Sequence, residues 1–214
     1  MVYRYFLFDL DGTLTDPGIG ITNSVMYALE KFDIHVSDRR ELYPFIGPPL
    51  DESFKKYFGF SDEQIVKAIE YYRENYRNGG LFENEVYQGI PELLTELKAR
   101  GAVVALATSK PYDFSVRILE HFELDKYFDH IGAATMDGSV SKKADVILKL
   151  LNEMYVKDID SILMIGDRFH DIEGAKANNL RSCGVLWGYG SRDELMDAGA
   201  DYIIEKPSEL LTLE

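Results

Sequence analysis

The sequence predicts an α/β fold: a mostly parallel sheet with helices on both faces, plus an all-helical insertion after the first strand. Three observations carry this expectation. From about residue 86 onward, short apolar runs alternate with segments of helical period. Between about residues 16 and 85 no convincing strand occurs, and the apolar residues recur at helical spacing. Acidic clusters follow directly on two apolar runs, at Asp9-Leu10-Asp11-Gly12 and at Gly166-Asp167 through Asp171.

In chain order, residues 3–8 (Tyr-Arg-Tyr-Phe-Leu-Phe) make a short buried strand that stops at Asp9. Residues 18–32 and 50–58 read as helices. Residues 61–77 give the clearest helix, with Ile65, Ala68, Ile69, Tyr72 and Tyr76 on one face, Ser61 as N-cap and Gly79 beyond its end. Pro91 near the start and Gly101 past the end then punctuate the next helix. The run Ala102-Val-Val-Ala-Leu-Ala107 suits a strand buried on both faces. After it come a helix at 111–122, a weaker strand at 129–134, a helix at 143–154 and a strand at 161–165. The remainder reads as a helix at 170–178, a strand at 182–187, a short helix at 191–197 and a strand at 201–204. This alternation implies a Rossmann-like core from residues 1–15 and 86–214, with residues 16–85 as the helical insertion.

Composition narrows the function. With 37 acidic against 23 basic residues the formal charge is −14, so the long-range field repels nucleic acid polymers and anionic membranes. No apolar run approaches the roughly 20 residues of a membrane span, and residues 1–8 end too soon at Asp9 to read as a signal peptide. The single cysteine, Cys183, excludes an intramolecular disulfide and a cysteine-based zinc site. These features point to a cytoplasmic protein.

Ligands of open parallel sheets bind outside the carboxyl ends of the strands. There the sequence offers Asp9 and Asp11 after the first strand, Thr108-Ser109-Lys110 after the 102–107 strand, and Asp167 and Asp171 after the 161–165 strand. Lys142-Lys143 opens a nearby helix. Four converging acids repel unless a cation sits among them, and oxygen ligands without thiols suit Mg²⁺. Each group has a plainer reading. Asp-x-Asp-Gly often marks only a tight turn. A calcium loop is disfavoured because its sixth position is Leu14 rather than Gly. Asp167 and Asp171 could be a strand exit and a helix-start acid, Thr108 a cap, and Lys142-Lys143 a solvated pair. Jointly, these readings require independent accidents at one edge of one sheet.

These residues resemble the haloacid dehalogenase superfamily of phosphatases, the group with a helical cap inserted after the first strand. Asp9-Leu10-Asp11-Gly12-Thr13-Leu14 matches the first motif, Thr108 the second, and Gly166-Asp167 through Asp171 the fourth. The third, a lysine, falls on Lys143 or Lys142, with Ala144-Asp-Val-Ile favouring Lys143; many members have proline at Ala144. Ser109 replaces an asparagine common after the second-motif threonine. Phe45-Ile-Gly-Pro-Pro-Leu50, Leu81-Phe-Glu-Asn-Glu85 and Trp187-Gly-Tyr-Gly190 resemble the phosphoglycolate-phosphatase-like branch, especially bacterial members labelled 5′-nucleotidases.

The resemblance implies a Mg²⁺-dependent hydrolase of small phosphomonoesters. Asp9 would be the nucleophile, Asp11 the general acid and then base, and Thr108 and Lys143 the grip on the phosphoryl oxygens. Mg²⁺ would be held by Asp9, the Asp11 carbonyl, Asp167 and Asp171. Backbone N–H groups of the Asp11–Gly12 turn and of Ser109 would add phosphate donors, and Lys110 and Arg168 local positive charge. Tyr43, Phe45, Phe54, Tyr57 and Phe58 either line a leaving-group pocket or form the cap's own core. A metal-free dehalogenase would leave Asp11, Asp167 and Asp171 without a task, whereas a phosphomutase keeps all four motifs. A receiver-type signalling domain of about 120 residues with no cap fits neither length nor motif order.

Overall fold

The structure, a computed structural model, describes residues 3–213. Met1 and Val2, which begin the N-terminal apolar stretch, and Glu214 lie outside the described residues. The chain divides into two compact units, Met1–Asp16 with Val86–Glu214, and Pro17–Glu85.

The first unit is built on six strands: β1 (Tyr5–Phe8), β4 (Val103–Pro111), β5 (His130–Ala134), β6 (Ile162–Gly166), β7 (Arg181–Val185) and β8 (Tyr202–Ile204). Their order is β5-β4-β1-β6-β7-β8, and every pairing is parallel. Two-residue strands β2 (Thr15–Asp16) and β3 (Glu85–Val86) form a separate sheet, too short to give any periodic signal in the sequence. Between the long strands run helices α4 (Ile90–Ala99), α5 (Tyr112–His121), α6 (Lys143–Met154), α7 (Phe169–Ala177) and α8 (Arg192–Ala198).

Register places the site. β1 pairs Phe8 with Leu106 on one side and with Ile165 on the other, so the residues that follow each strand emerge at the same level. Under one face of the sheet, Leu7, Ala105, Ala107 and Met164 pack with Ile147 and Leu150 of α6 and Ala175 of α7. Side chains of opposite parity, Phe6, Phe8, Val104 and Leu106, are equally buried, so the other face is covered too.

β4 departs from expectation. The apolar run ends at Ala107, yet the strand continues to Pro111, with a register shift against β5 between Thr108 and Pro111. Irregularities of this kind re-aim side chains beside active sites. The polar residues Thr108, Ser109 and Lys110 are therefore strand residues, invisible to a reading of hydrophobicity alone.

The second unit holds α1 (Gly18–Glu30), α2 (Leu50–Phe58) and α3 (Asp62–Arg77), with short 3₁₀ turns at Arg39–Phe45 and Gly80–Phe82. Ser61 caps α3 reciprocally: its Oγ accepts the Gln64 N–H at 3.3 Å, and its N–H donates to Gln64 Oε1 at 2.9 Å. An aromatic cluster forms this unit's core. Phe45 and Phe54 are buried with ring centroids 5.1 Å apart, and Phe54 stacks on Phe60 at 5.6 Å. Phe58 is half-buried, while Tyr43 and Tyr57 stay exposed. Phe45 and Phe54 thus take the packing role among the two open to these aromatics. Replacing Phe54 with Ala should cost about 3–5 kcal/mol of stability, and Tyr57→Ala less than about 1 kcal/mol. Denaturant unfolding of the two variants checks the difference.

Candidate active site

The site forms where β1, β4 and β6 end. Asp9 leaves β1 with its N–H donating to the Ile165 carbonyl at 2.9 Å, which ties the strand end to β6. Its Oδ1 accepts the Leu10 N–H at 2.7 Å and meets Lys143 Nζ at 2.7 Å. The chain then turns sharply. Leu14 N–H donates to the Leu10 carbonyl at 2.9 Å and Gly12 N–H to the Thr15 carbonyl at 2.8 Å. Gly12 has φ +82°, and a Cβ there would overlap the Asp167 carboxylate. The Gly12 N–H thus bonds inside the turn, and the glycine permits the close approach of the Asp167 carboxylate.

Lys143, the first residue of α6, is buried, whereas Lys142 at the cap position is exposed. Its ammonium makes three contacts: Asp9 Oδ1 at 2.7 Å, Asp171 Oδ1 at 2.8 Å and the Ala107 carbonyl at 2.9 Å. Burial disfavours that charge, but Asp171 and Asp9 outweigh it and hold the lysine above its usual value. Of the two lysines left open by the sequence, Lys143 is the one in the site.

Lys110 makes the second buried ion pair, with Nζ 2.6 Å from Asp11 Oδ2. The other Asp11 oxygen, Oδ1, is buried without a hydrogen-bond partner. Burial raises the Asp11 pKa, and Lys110 opposes the rise. Thr108 is buried, its Oγ1 accepting the Lys110 N–H at 3.2 Å, and Ser109 beside it is half-buried.

Asp167 and Asp171 complete the cluster from the β6–α7 turn. Asp167 Oδ2 accepts the Tyr189 N–H at 2.7 Å, and Oδ1 lies 3.4 Å from the Thr13 hydroxyl. Asp171 Oδ2 accepts the Arg168 N–H at 3.0 Å at the start of α7. Arg168 pairs with Glu194 at 2.8 Å, and its charge also pulls the Asp167 pKa down against the effect of burial.

Among the described residues, Asp9, Asp167 and Asp171 form a cluster whose carboxylate oxygens lie within 4.8 Å of one another, all buried. Burial, with the neighbouring carboxylates adding to it, raises Asp167 well above the usual range. Burial likewise raises Asp171, to about 6, against the pull of Lys143. A hard divalent cation relieves both effects. All-oxygen ligands without thiol or imidazole fit Mg²⁺, so the residues match the ion that the sequence implies. Asp11 stands apart from this cluster because its carboxylate is turned to Lys110.

Sequence reasoning missed the loop after β7. Trp187 Nε1–H donates to the Thr13 carbonyl at 2.9 Å, and Tyr189 supplies the N–H on Asp167. A backbone donor leaves no trace in residue type, so only the glycines flanking Tyr189 could have signalled it.

With this geometry in place, comparison with known proteins is informative. The model of the haloacid dehalogenase-like hydrolase family matches residues 6–185. A 5′-nucleotidase of Pseudomonas aeruginosa is 45% identical over 193 residues, covering 90% of this chain and 87% of that protein. The crystal structure of a predicted phosphatase from Clostridium acetobutylicum superposes with a TM-score of 0.96 at 49% identity, covering 100% of both chains. A Mycobacterium tuberculosis protein named tyrosine-protein kinase PtkA is 37% identical over 187 residues, covering 87% of this chain and 63% of that protein.

The raised carboxylates set a pH dependence. An acid whose folded pKa exceeds its unfolded value binds more protons when folded, so stability is greatest below the unfolded pKa and falls as pH rises through the folded one. For Asp171 the window runs from its ordinary 3.8 to about 6. In excess chelator, stability should fall as pH rises across this window. Stabilisation by Mg²⁺ should grow over the same interval, because the ion needs the ionised carboxylates. Thermal unfolding with and without Mg²⁺ at several pH values checks both.

Proposed function

The chain belongs to the haloacid dehalogenase-like hydrolase family and is a phosphatase, and we propose that it hydrolyses nucleoside 5′-monophosphates in a Mg²⁺-dependent reaction through an aspartyl phosphate on Asp9. One observation carries the mechanism: Lys143 joins Asp9 and Asp171 on one side of the buried carboxylate cluster, while Asp11 beside them holds a separate ion pair. Nucleophile and acid–base group therefore have different electrostatic surroundings, as two carboxylates with two tasks require.

In the first step an Asp9 oxygen bonds to phosphorus, the ester P–O bond breaks, and Asp11 gives its proton to the departing oxygen. In the second, Asp11 takes a proton from water as the water oxygen bonds to phosphorus and the Asp9–phosphorus bond breaks. Lys143, the Thr108 hydroxyl and the Ser109 N–H hold the phosphoryl oxygens. Mg²⁺ held by Asp9, Asp167, Asp171 and the Asp11 carbonyl would neutralise phosphoryl charge and help align it.

The choice of leaving group draws on the name of the P. aeruginosa relative and on Tyr43 and Tyr57, exposed aromatic faces on the insertion. Base stacking on such faces is worth about 1–3 kcal/mol. Phosphoglycolate is the second reading, favoured by the buried Lys110 ammonium beside Asp11, where a carboxylate-bearing leaving group would find a counter-charge.

The test is a panel of nucleoside monophosphates, phosphoglycolate, sugar phosphates and pyrophosphate, assayed with Mg²⁺ and in excess chelator. A nucleotide kcat/KM at least about tenfold above phosphoglycolate, abolished by chelator, is the expected result. Asp9→Asn should lower turnover by at least about a thousandfold with the fold intact. Preference for phosphoglycolate by the same margin would replace the nucleotide reading without disturbing the phosphatase one.

A further inference from the structure

The loop Trp187-Gly188-Tyr189-Gly190 has no part in the chemistry above, yet it touches the site at three points. The Trp187 indole N–H donates to the Thr13 carbonyl at 2.9 Å, within the turn that carries Asp11. The Tyr189 N–H donates to Asp167 Oδ2 at 2.7 Å. The Tyr189 hydroxyl donates to Asp16 Oδ1, just past the end of that turn. Between these anchors, Gly188 lies so close that a Cβ on it would overlap both the Gly12 carbonyl oxygen and the Asp167 side chain. One short segment thus holds the turn after β1 at its middle and just past its end, and holds the Asp167 carboxylate after β6 against it.

We propose that this loop sets the size of the cation site and so its preference for Mg²⁺ over Ca²⁺, with Trp187 and Tyr189 as positioning residues. The physical reason lies in what the two ions demand. Mg²⁺ requires short oxygen distances and near-ideal octahedral geometry, whereas Ca²⁺ accepts longer distances and a loose shell, so rigidity and cavity size discriminate between them. Of the three clustered carboxylates, Asp9 is fixed by Lys143 and the Leu10 N–H, and Asp171 by Lys143 and the Arg168 N–H. Asp167 reaches no lysine in the structure's ion pairs and depends on the Tyr189 N–H and a long 3.4 Å contact from Thr13. Its position therefore follows the loop. The loop in turn follows its two side-chain anchors on Thr13 and Asp16. Groups outside the ligand set that hold a ligand in this way typically change metal affinity by about 10–100-fold when removed.

The inference rests on the cation site of the preceding section, and the experiment separates the two. Mg²⁺ and Ca²⁺ affinities are measured by isothermal titration on the full chain and on the variants Trp187→Phe, Tyr189→Phe and the double substitution. Each keeps an aromatic ring and removes one anchoring hydrogen bond, and thermal unfolding is recorded in parallel. The double variant should lose about tenfold in Mg²⁺ affinity and less than about threefold in Ca²⁺ affinity, so that the ratio falls, with each single variant in between. An unchanged ratio, whether the two affinities fall together or only the unfolding temperature drops, overturns the proposal and leaves the loop a structural brace. Absence of Mg²⁺ binding by the unaltered chain would instead remove the cation site itself.

Discussion

Four carboxylates, Asp9, Asp11, Asp167 and Asp171, are buried together where the strands of one sheet end. Two ammonium groups, Lys110 and Lys143, are buried with them. Taking a charge out of water costs several kcal/mol unless it is paired and hydrogen-bonded. The surrounding features follow from that constraint. Lys143 forms ion pairs with Asp9 and Asp171 and donates to a strand carbonyl, and backbone N–H groups of Leu10, Arg168 and Tyr189 donate to the carboxylates. With all six groups ionised, two negative charges remain. A divalent cation matches that remainder, and Asp167 and Asp171, both raised in pKa, are two of the carboxylates that would surround it.

The sheet order supplies the convergence. Groups at positions 9, 108 and 167 are far apart along the chain, and they meet because β1 is flanked by β4 and β6 in parallel register. Antiparallel neighbours would have sent one of these ends to the opposite edge. The insertion of Pro17–Glu85 leaves the first unit after the catalytic turn. It therefore interrupts a connection and no strand, and the sheet keeps its pairing however large the insertion is.

The residues of the site were legible in the sequence because each stands where an apolar run stops, and parallel strands end in register. Asp9, Thr108 and Asp167 stand out that way, and the expected helix at 50–58 matches α2 over Leu50–Phe58. What stayed hidden depends on geometry that residue type does not encode. The continuation of β4 through Lys110 to Pro111, and the irregularity that accompanies the Lys110 approach to Asp11, involve polar residues that read as a loop. Commitment of the Gly12 N–H to Thr15 depends on a turn conformation. The pairing of Arg168 with Glu194 ties the start of α7 to α8, a contact that residue type alone does not reveal. Phe45 and Tyr57 are both aromatic residues of the insertion, and only packing separates the buried one from the exposed one.

Asp11 shows how this economy of charge becomes chemistry. In the proposed reaction it would hold a proton when the leaving oxygen departs and lack one when water arrives, so neither a permanently ionised nor a permanently neutral carboxyl would serve. Burial favours the neutral form and Lys110 at 2.6 Å favours the ionised one. The two influences oppose each other on a single group, and burial prevails, so the Asp11 pKa is raised. Asp9, the proposed nucleophile, meets different neighbours: a lysine and a backbone N–H both contact one of its oxygens. The same residue type two positions apart in the chain thus acquires two electrostatic surroundings, one lysine arriving from the end of β4 and the other from the start of α6.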